Sequence, residues 1–445
     1  MRVAVIGAGI AGLTCAFNLQ QAGVAVQVFE RQPRVGGRMG TRVRDGLAFD
    51  LGANFLIRSY STICELAARL GIRLNNLSPV RHSVLRDGTT FPMNYTAPRD
   101  LRTLGGLNWQ ARARLAWLAL KARFRPRPLD FFDLSKVPAR YNCEDAYSYA
   151  ARKVGSDFAN YIVDGFNSCM MFSRARDMSA ATFAALFGMM AGTNRDFTVQ
   201  HAEGEMQAIP SALAERLTVH TSTPVASLEP TRQGWRVHSR LGEMEFDRVV
   251  LASTAGAGRR LLKEPGEHLE LLRLTQYAST INVSFRVPKG TLGDVHCFYV
   301  PFLENPVIAE FTNEALKEIE CEGDSLVNVG LHEKAARALL HSSDETIFHS
   351  VRQQLLSLHP GLAAVAAQVR PHDLQRWPEA IPKYSGRHVE RVKHFLEHGQ
   401  GRQGLYLCGD YLNAPWTEGA SRTGQRVAEL LIDGRFRVEA ENSTL

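Results

Sequence analysis

The residues whose types and spacing could do chemistry first appear at Gly7, Gly9, Gly12 and Glu30. Val3 to Ile6 is a short apolar run ending at a glycine, the pattern of a parallel strand buried on both faces. Gly7 permits a tight turn, Gly9 lets backbone approach a pyrophosphate, and Gly12 lets the next helix lie close to the strand, with Ala11 in the same turn. The helix, expected from Ile10 to Ala22, would aim free N–H groups and its positive dipole end at phosphates. A second strand, Val24 to Phe29, delivers Glu30 at its tip, where a carboxylate can accept both hydroxyls of an adenosine ribose. An acid there, rather than an arginine, disfavours a 2′-phosphate. The chemistry is dinucleotide binding.

The residues that follow choose the dinucleotide. Gly36-Gly37-Arg38 comes a short loop after Glu30, and Asp50-Leu51-Gly52-Ala53-Asn54 comes soon after that. A nicotinamide fold has no need of a second glycine pair with an arginine here. FAD does, because a cation and a close-running backbone can hold the far end of its pyrophosphate and its ring. In these motifs the chain resembles the flavin-containing amine oxidase superfamily, which includes monoamine oxidases, protoporphyrinogen oxidases and phytoene-type desaturases. The spacing from Glu30 to Arg38 is typical of that family. The resemblance implies cofactor contacts from Gly37, Arg38, Gly52, Ala53 and Asn54, and places the backbone around Val225 against the adenine.

A matching motif stands near the other end. Leu405 to Cys408 reads as a buried strand ending in Gly409-Asp410-Tyr411, and Thr417-Glu418-Gly419-Ala420 opens a helix to about Ile432. Gly409 admits backbone close to a cofactor, Asp410 could hold the ribityl chain or a phosphate-bound water, and the helix N-terminus with Thr417 faces the flavin. This arrangement is similar to the last motif of the superfamily. The two motifs bracket the chain and together cover about a fifth of it.

Composition narrows the class. The 445 residues, 45% hydrophobic and 22% charged, suit a protein with a large core, and no apolar run reaches the roughly 18 residues of a transmembrane helix. A chain that opens directly on the nucleotide strand argues for a cytoplasmic protein. Seven scattered cysteines lack metal-site or Cys-x-x-Cys spacing, so neither a metal nor a disulfide framework is expected. A net charge of +7 without basic residues interleaved with stacking aromatics along a groove gives no reason to expect nucleic acid as a partner.

The elements that must position these residues alternate between two regions. A helix over 60–70 precedes a hairpin from His82 to Met93 that turns at Asp87-Gly88. Residues 99–192 read as a helical cap, and short strands crowd 219–252. Further strands at 280–287, 298–300, 307–311 and 326–330 suggest an antiparallel floor, and Ser342-Ser343-Asp344-Glu345 opens an amphipathic helix. The expected architecture is α/β: a discontinuous FAD-binding Rossmann-like domain (1–80, 197–265 and 388–440) and an α+β substrate domain with a helical cap (81–196 and 266–387). Where the family often has proline after the strand ending at Ala252, this chain has Ser253-Thr254-Ala255. A binding site between the regions is expected.

Further comparisons bear on the substrate. Gly409-Asp410-Tyr411 resembles the desaturase and protoporphyrinogen oxidase members. Trp377 to Gly386 resembles the monoamine oxidase stretch that carries a flavin-linking cysteine, but Arg387-His388-Val389 follows, so the FAD is expected to be non-covalent. Trp416 would form one wall of an amine oxidase's aromatic cage, while Val389 falls near the other wall. Asn282 takes the place of a lysine that many amine oxidases put beneath the flavin. Trp416 and Asn282 are therefore the expected catalytic residues. Trp416 packing into the core and Asn282 satisfying a buried backbone group remain the alternatives. None of the 14 histidines is assigned as a base, since a substrate nitrogen lone pair can assist hydride loss.

The resemblance implies an FAD-dependent oxidoreductase that takes two electrons, as a hydride, from a C–N or C–C unit of an apolar or heterocyclic small molecule. Oxygen or another acceptor would reoxidise the flavin. Two alternatives stay open: an amine oxidase yielding imine and hydrogen peroxide, and a flavin-free binding protein of the Rab GDP-dissociation-inhibitor type. The stretch 110–127 gathers Arg112, Arg114, Lys121, Arg123, Arg125 and Arg127. It reads either as a solvated surface helix or as an interfacial helix on anionic lipid, anchored by Trp109, Trp117 and Phe124.

Overall fold

Strand Arg2–Ile6 lies at the centre of a five-stranded parallel sheet, between strands Ala25–Phe29 and Arg248–Leu251, with Val219–His220 and Leu405–Leu407 at the edges. Val3, Ala4 and Val5 are fully buried because helices and further strands cover both faces of the sheet. Each such Val contributes on the order of 1.5–3 kcal/mol by leaving water. Helix Ile10–Gln21 covers one face and meets helix Trp416–Asp433 so closely that a Cβ on Gly424 would stand 2.1 Å from the Ala11 carbonyl oxygen. The first and last motifs of the chain are thus packed against each other. The computed structural model describes residues 1–77, 81–93, 104–125, 129–191, 198–317 and 323–434.

Strands Val225–Pro230, Trp235–Ser239 and Gly242–Phe246 form an antiparallel sheet beside the parallel one. After Arg248–Leu251 the chain enters a short helix, Ala255–Gly258, at the position where proline was expected. The Thr254 hydroxyl there donates to the Glu379 carboxylate.

The second large sheet has seven strands, in the order Arg370–Pro382, Tyr277–Pro288, Asp324–Leu331, Ile308–Asn313, Val295–Tyr299, Arg81–Arg86 and Thr89–Pro92. It differs from the expected antiparallel floor in two respects. Val295–Tyr299 runs parallel to Arg81–Arg86, so the 81–92 hairpin extends this sheet, turning through Asp87 and Gly88 at φ 52° and 70°. The first strand in that order, Arg370–Pro382, contains Pro371, Pro378 and Pro382. It is an edge strand with two register shifts, which is where a sheet tolerates residues without an N–H.

Helix Asp344–Leu358 covers one face of the sheet, with Ser343 accepting from the Thr346 N–H as its cap. The cap helices, including Asp164–Met171 and Ala180–Ala191, lie toward the other face, whose Cys297 and Tyr299 join their core. Among the described residues, no helix is long and apolar enough to cross a membrane. Helix Trp109–Arg123 is capped by Asn108 and buries only Ala111 and Leu115. Arg127 lies outside the described residues.

Candidate active site

The three glycines of the first turn differ in what surrounds them. Gly7 has φ 114°, and a Cβ there would stand 2.9 Å from the Ala252 carbonyl oxygen. A Cβ on Gly12 would lie 2.1 Å from the Gly7 carbonyl oxygen and 2.8 Å from the Ala252 Cβ. These two residues are glycine because the protein itself leaves no room. Gly9 has ordinary φ of −75°, and a Cβ on it would meet none of the described residues within 4 Å. It is also the N-cap of helix Ile10–Gln21, which has neither a side-chain cap nor an acidic residue in its first turn. An open approach to uncapped backbone N–H groups fits a phosphate.

Glu30 folds back over this turn. Its Oε2 accepts from the Ala8 N–H at 2.9 Å and its Oε1 from the Gln32 N–H at 2.8 Å. Each oxygen keeps a lone pair for a hydroxyl donor. The Glu30 carbonyl accepts from the Thr223 N–H at 2.7 Å, which brings Val225 and its strand to the same end of the site.

The Gly36-Gly37 pair packs directly on the first turn. Gly36 donates its N–H to the Ala8 carbonyl at 2.8 Å, and Gly37 packs on Gly9, where a Cβ would stand 3.5 Å from the Gly9 Cα. At φ 95° and 55° the pair folds the chain onto the first turn.

Arg38 and Asp410 form a unit. Arg38 Nη1 and Nη2 donate to the two Asp410 oxygens at 2.6 and 2.9 Å, and Nη1 also donates to the Ala380 carbonyl at 2.5 Å. Burial disfavours the Arg38 charge, but the Asp410 carboxylate outweighs it and holds the guanidinium protonated. Neither residue was expected to be the other's partner. The pair ties the first flavin motif to the last.

Gly52, Ala53 and Asn54 form a partly exposed turn clamped to Arg38. The Ala53 N–H donates to the Arg38 carbonyl at 2.9 Å, and a Cβ on Gly52 would stand 2.4 Å from that same oxygen. Asn282 supports the turn from below, its Nδ2 donating to the Leu51 carbonyl at 2.9 Å, alongside Trp377 Nε1 at 2.6 Å. Asn282 is thus bonded to a backbone carbonyl, as the alternative reading required, while its buried Oδ1 makes no hydrogen bond among the described residues.

At the C-terminal motif, Gly409 at φ 146° donates its N–H to Thr423 Oγ1 at 2.8 Å. Asn413 and Trp416 also have positive φ, 59° and 64°, an uncommon conformation that the surrounding packing must hold. Trp416 is wedged among Phe131, Phe132, Phe166 and Tyr60, with ring centroids 4.7–6.5 Å away, and its Nε1 donates to the Met170 carbonyl at 3.2 Å. Thr417 follows in the first helical turn, partly exposed. Glu418, fully buried, caps helix Ser61–Leu70 by accepting from the Thr62 and Ile63 N–H groups at 3.1 Å. Val389 is buried in helix Gly386–His398, whose His388 lies within 2.8 Å of the Tyr411 carbonyl through Nε2.

Charged residues that the sequence did not single out lie under the same turn. Lys317 Nζ is 2.9 Å from Asp50 Oδ2 and 2.6 Å from Glu314 Oε2, all three side chains at most 3% exposed. Burial opposes the Lys317 charge, but the two carboxylates hold it well above its ordinary range. Glu205, nearby, is raised to about 7 by burial and by Asp50. On the sheet, Glu310 is raised to about 8 by burial and by Glu314, and its Oε2 lies 3.8 and 3.7 Å from the Cys169 and Cys297 sulfurs. Asp50 to Glu314 is a separation no local pattern reveals.

The model of the flavin containing amine oxidoreductase family matches residues 10–432. The chain belongs to that family. Its cofactor is accordingly FAD, as the two motifs implied. Protoporphyrinogen oxidase 2 of Arabidopsis thaliana is 29% identical over 168 residues, 37% of this chain and 31% of that protein. The carotenoid phi-ring synthase of Streptomyces griseus is 27% identical over 280 residues, 58% of this chain and 53% of that one. The matched stretches thus span a third to a half of these relatives. Cyclohexylamine oxidase from Brevibacterium oxydans superposes with a TM-score of 0.74 over 98% of this chain and 99% of its own, at 16% identity. A redesigned putrescine oxidase does so at 0.76, over 97% and 99%, with 17% identity. At such identities the likeness is one of fold.

Proposed function

We propose that the protein is an FAD-dependent oxidoreductase that forms a double bond in an apolar or heterocyclic small molecule by removing two electrons from a C–N or C–C unit. The observation that carries this reading is the wall facing the flavin motifs. The partly exposed Trp416 ring is backed by the buried Phe131, Phe132 and Phe166, and Asn282 stands where an amine oxidase lysine was sought. The plant relative's name, a protoporphyrinogen oxidase, and the bacterial relative's, a carotenoid ring synthase, support cyclic or polyene substrates.

In this reading Gly9 and the N-terminus of helix Ile10–Gln21 receive the pyrophosphate, and Glu30 takes the adenosine ribose. Val225 meets the adenine, and the Arg38–Asp410 unit with Gly52, Ala53, Asn54, Gly409 and Thr417 surrounds the ring end. Bound FAD supplies the two-electron acceptor. Trp416 orients the substrate against it, and Asn282 fixes the turn beneath. The cofactor regions are 1–80, 197–265 and 388–440, and the substrate regions are 81–196 and 266–387.

The test is anaerobic stopped-flow absorbance with amines, tetrapyrrole precursors and polyenes. Bleaching of the flavin by a conjugated or cyclic carbon substrate and not by simple amines is expected. Bleaching by simple primary or secondary amines would replace this reading with an amine oxidase.

The same reading includes a cytoplasmic enzyme touching anionic membranes through helix Trp109–Arg123. Trp109, Trp117 and Phe124 are 75%, 58% and 73% exposed among the basic side chains, which supports an interfacial role. Binding to anionic but not neutral vesicles, lost in a Trp117→Ala/Phe124→Ala variant, is the expected outcome.

A further inference from the structure

Two cysteines far apart in sequence meet beneath the cap. Cys297 pairs with Thr312 and Tyr299 with Glu310 across adjacent antiparallel strands, so Cys297 and Glu310 are diagonal neighbours on one face of the sheet. Helix Asp164–Met171 lies over that face and lowers Cys169 onto them. The Cys169 and Cys297 sulfurs are 3.8 Å apart, and Glu310 Oε2 is 3.8 Å from the first and 3.7 Å from the second. Three elements thus contribute one donor atom each to a nearly equilateral triangle.

Its size is informative. Tetrahedral zinc with Zn–S bonds of about 2.3 Å and Zn–O bonds of about 2.0–2.2 Å places neighbouring donors about 3.5–3.8 Å apart. The triangle therefore has the dimensions of one face of a zinc tetrahedron. Two sulfurs and a carboxylate are also a donor set that zinc accepts.

The surroundings agree in two ways. Both cysteines are buried, and among the described residues their side-chain hydrogen-bonding partners are each other and Glu310. The described residues also place no cation within ion-pairing distance of Glu310, while Lys317 is already held by Asp50 and Glu314. Glu310 is partly exposed and pairs with Gly330, which pairs in turn with Asn282 across the sheet. Gly330 has no room for a side chain: a Cβ would stand 2.9 Å from both Glu310 Oε1 and the Phe172 ring.

We propose that Cys169, Cys297 and Glu310 bind a divalent thiophilic cation of the zinc class, with a fourth position open toward the substrate side of the sheet for water or a substrate donor atom. Binding forms two metal–thiolate bonds and one metal–carboxylate bond. The two thiol protons, and any proton on Glu310, pass to solvent. No oxidation change is involved. The proposal is independent of which substrate the enzyme oxidises.

The test uses the purified holoenzyme with thiols kept reduced. After chelator washing, zinc is added back, excess is removed, and metal is counted by elemental analysis, and cobalt(II) is then titrated as a coloured stand-in. About one zinc per chain is expected, with a thiolate-to-cobalt charge-transfer band. Both should be lost in Cys169→Ala/Cys297→Ala, and affinity should fall at least about tenfold in Glu310→Gln. Flavin content, unchanged in each variant, separates loss of the site from loss of the fold. Alanine is chosen because it leaves no hydroxyl unsatisfied in an apolar core. A wild-type holoenzyme that retains less than about a tenth of an equivalent of zinc overturns the proposal, whatever the variants do. So does a cobalt band that survives in the double variant.

Discussion

The glycine turn at Gly7 to Gly12 and the seven-stranded sheet are held together by different means. At the turn, specificity is carried by what is missing: Gly7 and Gly12 have no space for a side chain, and Gly9 has space that the protein does not use. At the sheet, it is carried by charges and thiols that meet from distant parts of the chain, such as Asp50 with Lys317 and Cys169 with Cys297. Backbone shape tied to one helix and one strand is written locally. A cluster assembled from elements distant in sequence is not. The Arg38–Asp410 unit joins the two modes, since each residue sits in a recognisable motif but their pairing is a property of the fold.

The comparison can be broken first at Gly12. Gly12→Ala puts a methyl group 2.1 Å from the Gly7 carbonyl oxygen. A loss of more than about 4 kcal/mol is expected, seen as insoluble or flavin-free protein and a collapsed thermal transition. A Gly12→Ala enzyme as stable and as yellow as wild type would show that the close helix contact is dispensable.

The sheet side has its counterpart in Lys317→Met. The substitution leaves Asp50 and Glu314 buried without their cation, and a cost of about 3–5 kcal/mol in urea unfolding is expected. Adding Asp50→Asn and Glu314→Gln should recover most of it, because the penalty is an uncompensated charge rather than a lost shape.

A smaller, pH-dependent effect belongs to Glu205. Its carboxyl titrates near 7 in the folded protein against an ordinary value of 4.5, raised by burial and then by Asp50. The folded state therefore holds a proton that the unfolded chain releases between those values. The stability this confers is present below about 4.5 and is lost as pH rises through about 7. For this partly exposed group the loss is on the order of 1 kcal/mol after solvent screening. Glu205→Gln should lack that loss, so the urea midpoint of the variant relative to wild type should rise from pH 5 to pH 8. A constant difference would contradict the assigned environment.

Much of the first region was legible because each residue answers a local demand. Strand Arg2–Ile6, helix Ile10–Gln21 and Glu30 follow from apolar runs and glycine spacing, and helix Asp344–Leu358 from its cap and buried stripe. Strand Arg370–Pro382 was hidden by its prolines, which argue against a strand unless it lies at an edge. Glu314 and Lys317, three residues apart, look in sequence like a solvated pair, and only Asp50 arriving from elsewhere makes them a buried triad. The meeting of Cys169 and Cys297 was not legible because they are 128 residues apart, so no spacing motif can represent them. Asn282 was expected in the place of a lysine beneath the flavin, and its side chain donates to the Leu51 carbonyl, a partner no local pattern reveals. Trp416 has a positive φ and packs among four aromatic rings, neither of which a local pattern reveals.

The most direct measurement is FAD affinity and apoprotein stability of Gly9→Ala. The backbone at Gly9 accepts alanine, and a Cβ there meets no atom of the described residues within 4 Å. If Gly9 is glycine because a pyrophosphate comes against it, the apoprotein should unfold within about 0.5 kcal/mol of wild type. FAD binding should weaken by about tenfold or more, a change of at least about 1.4 kcal/mol. Wild-type FAD affinity in a normally folded Gly9→Ala protein would contradict the placement of the cofactor on this turn.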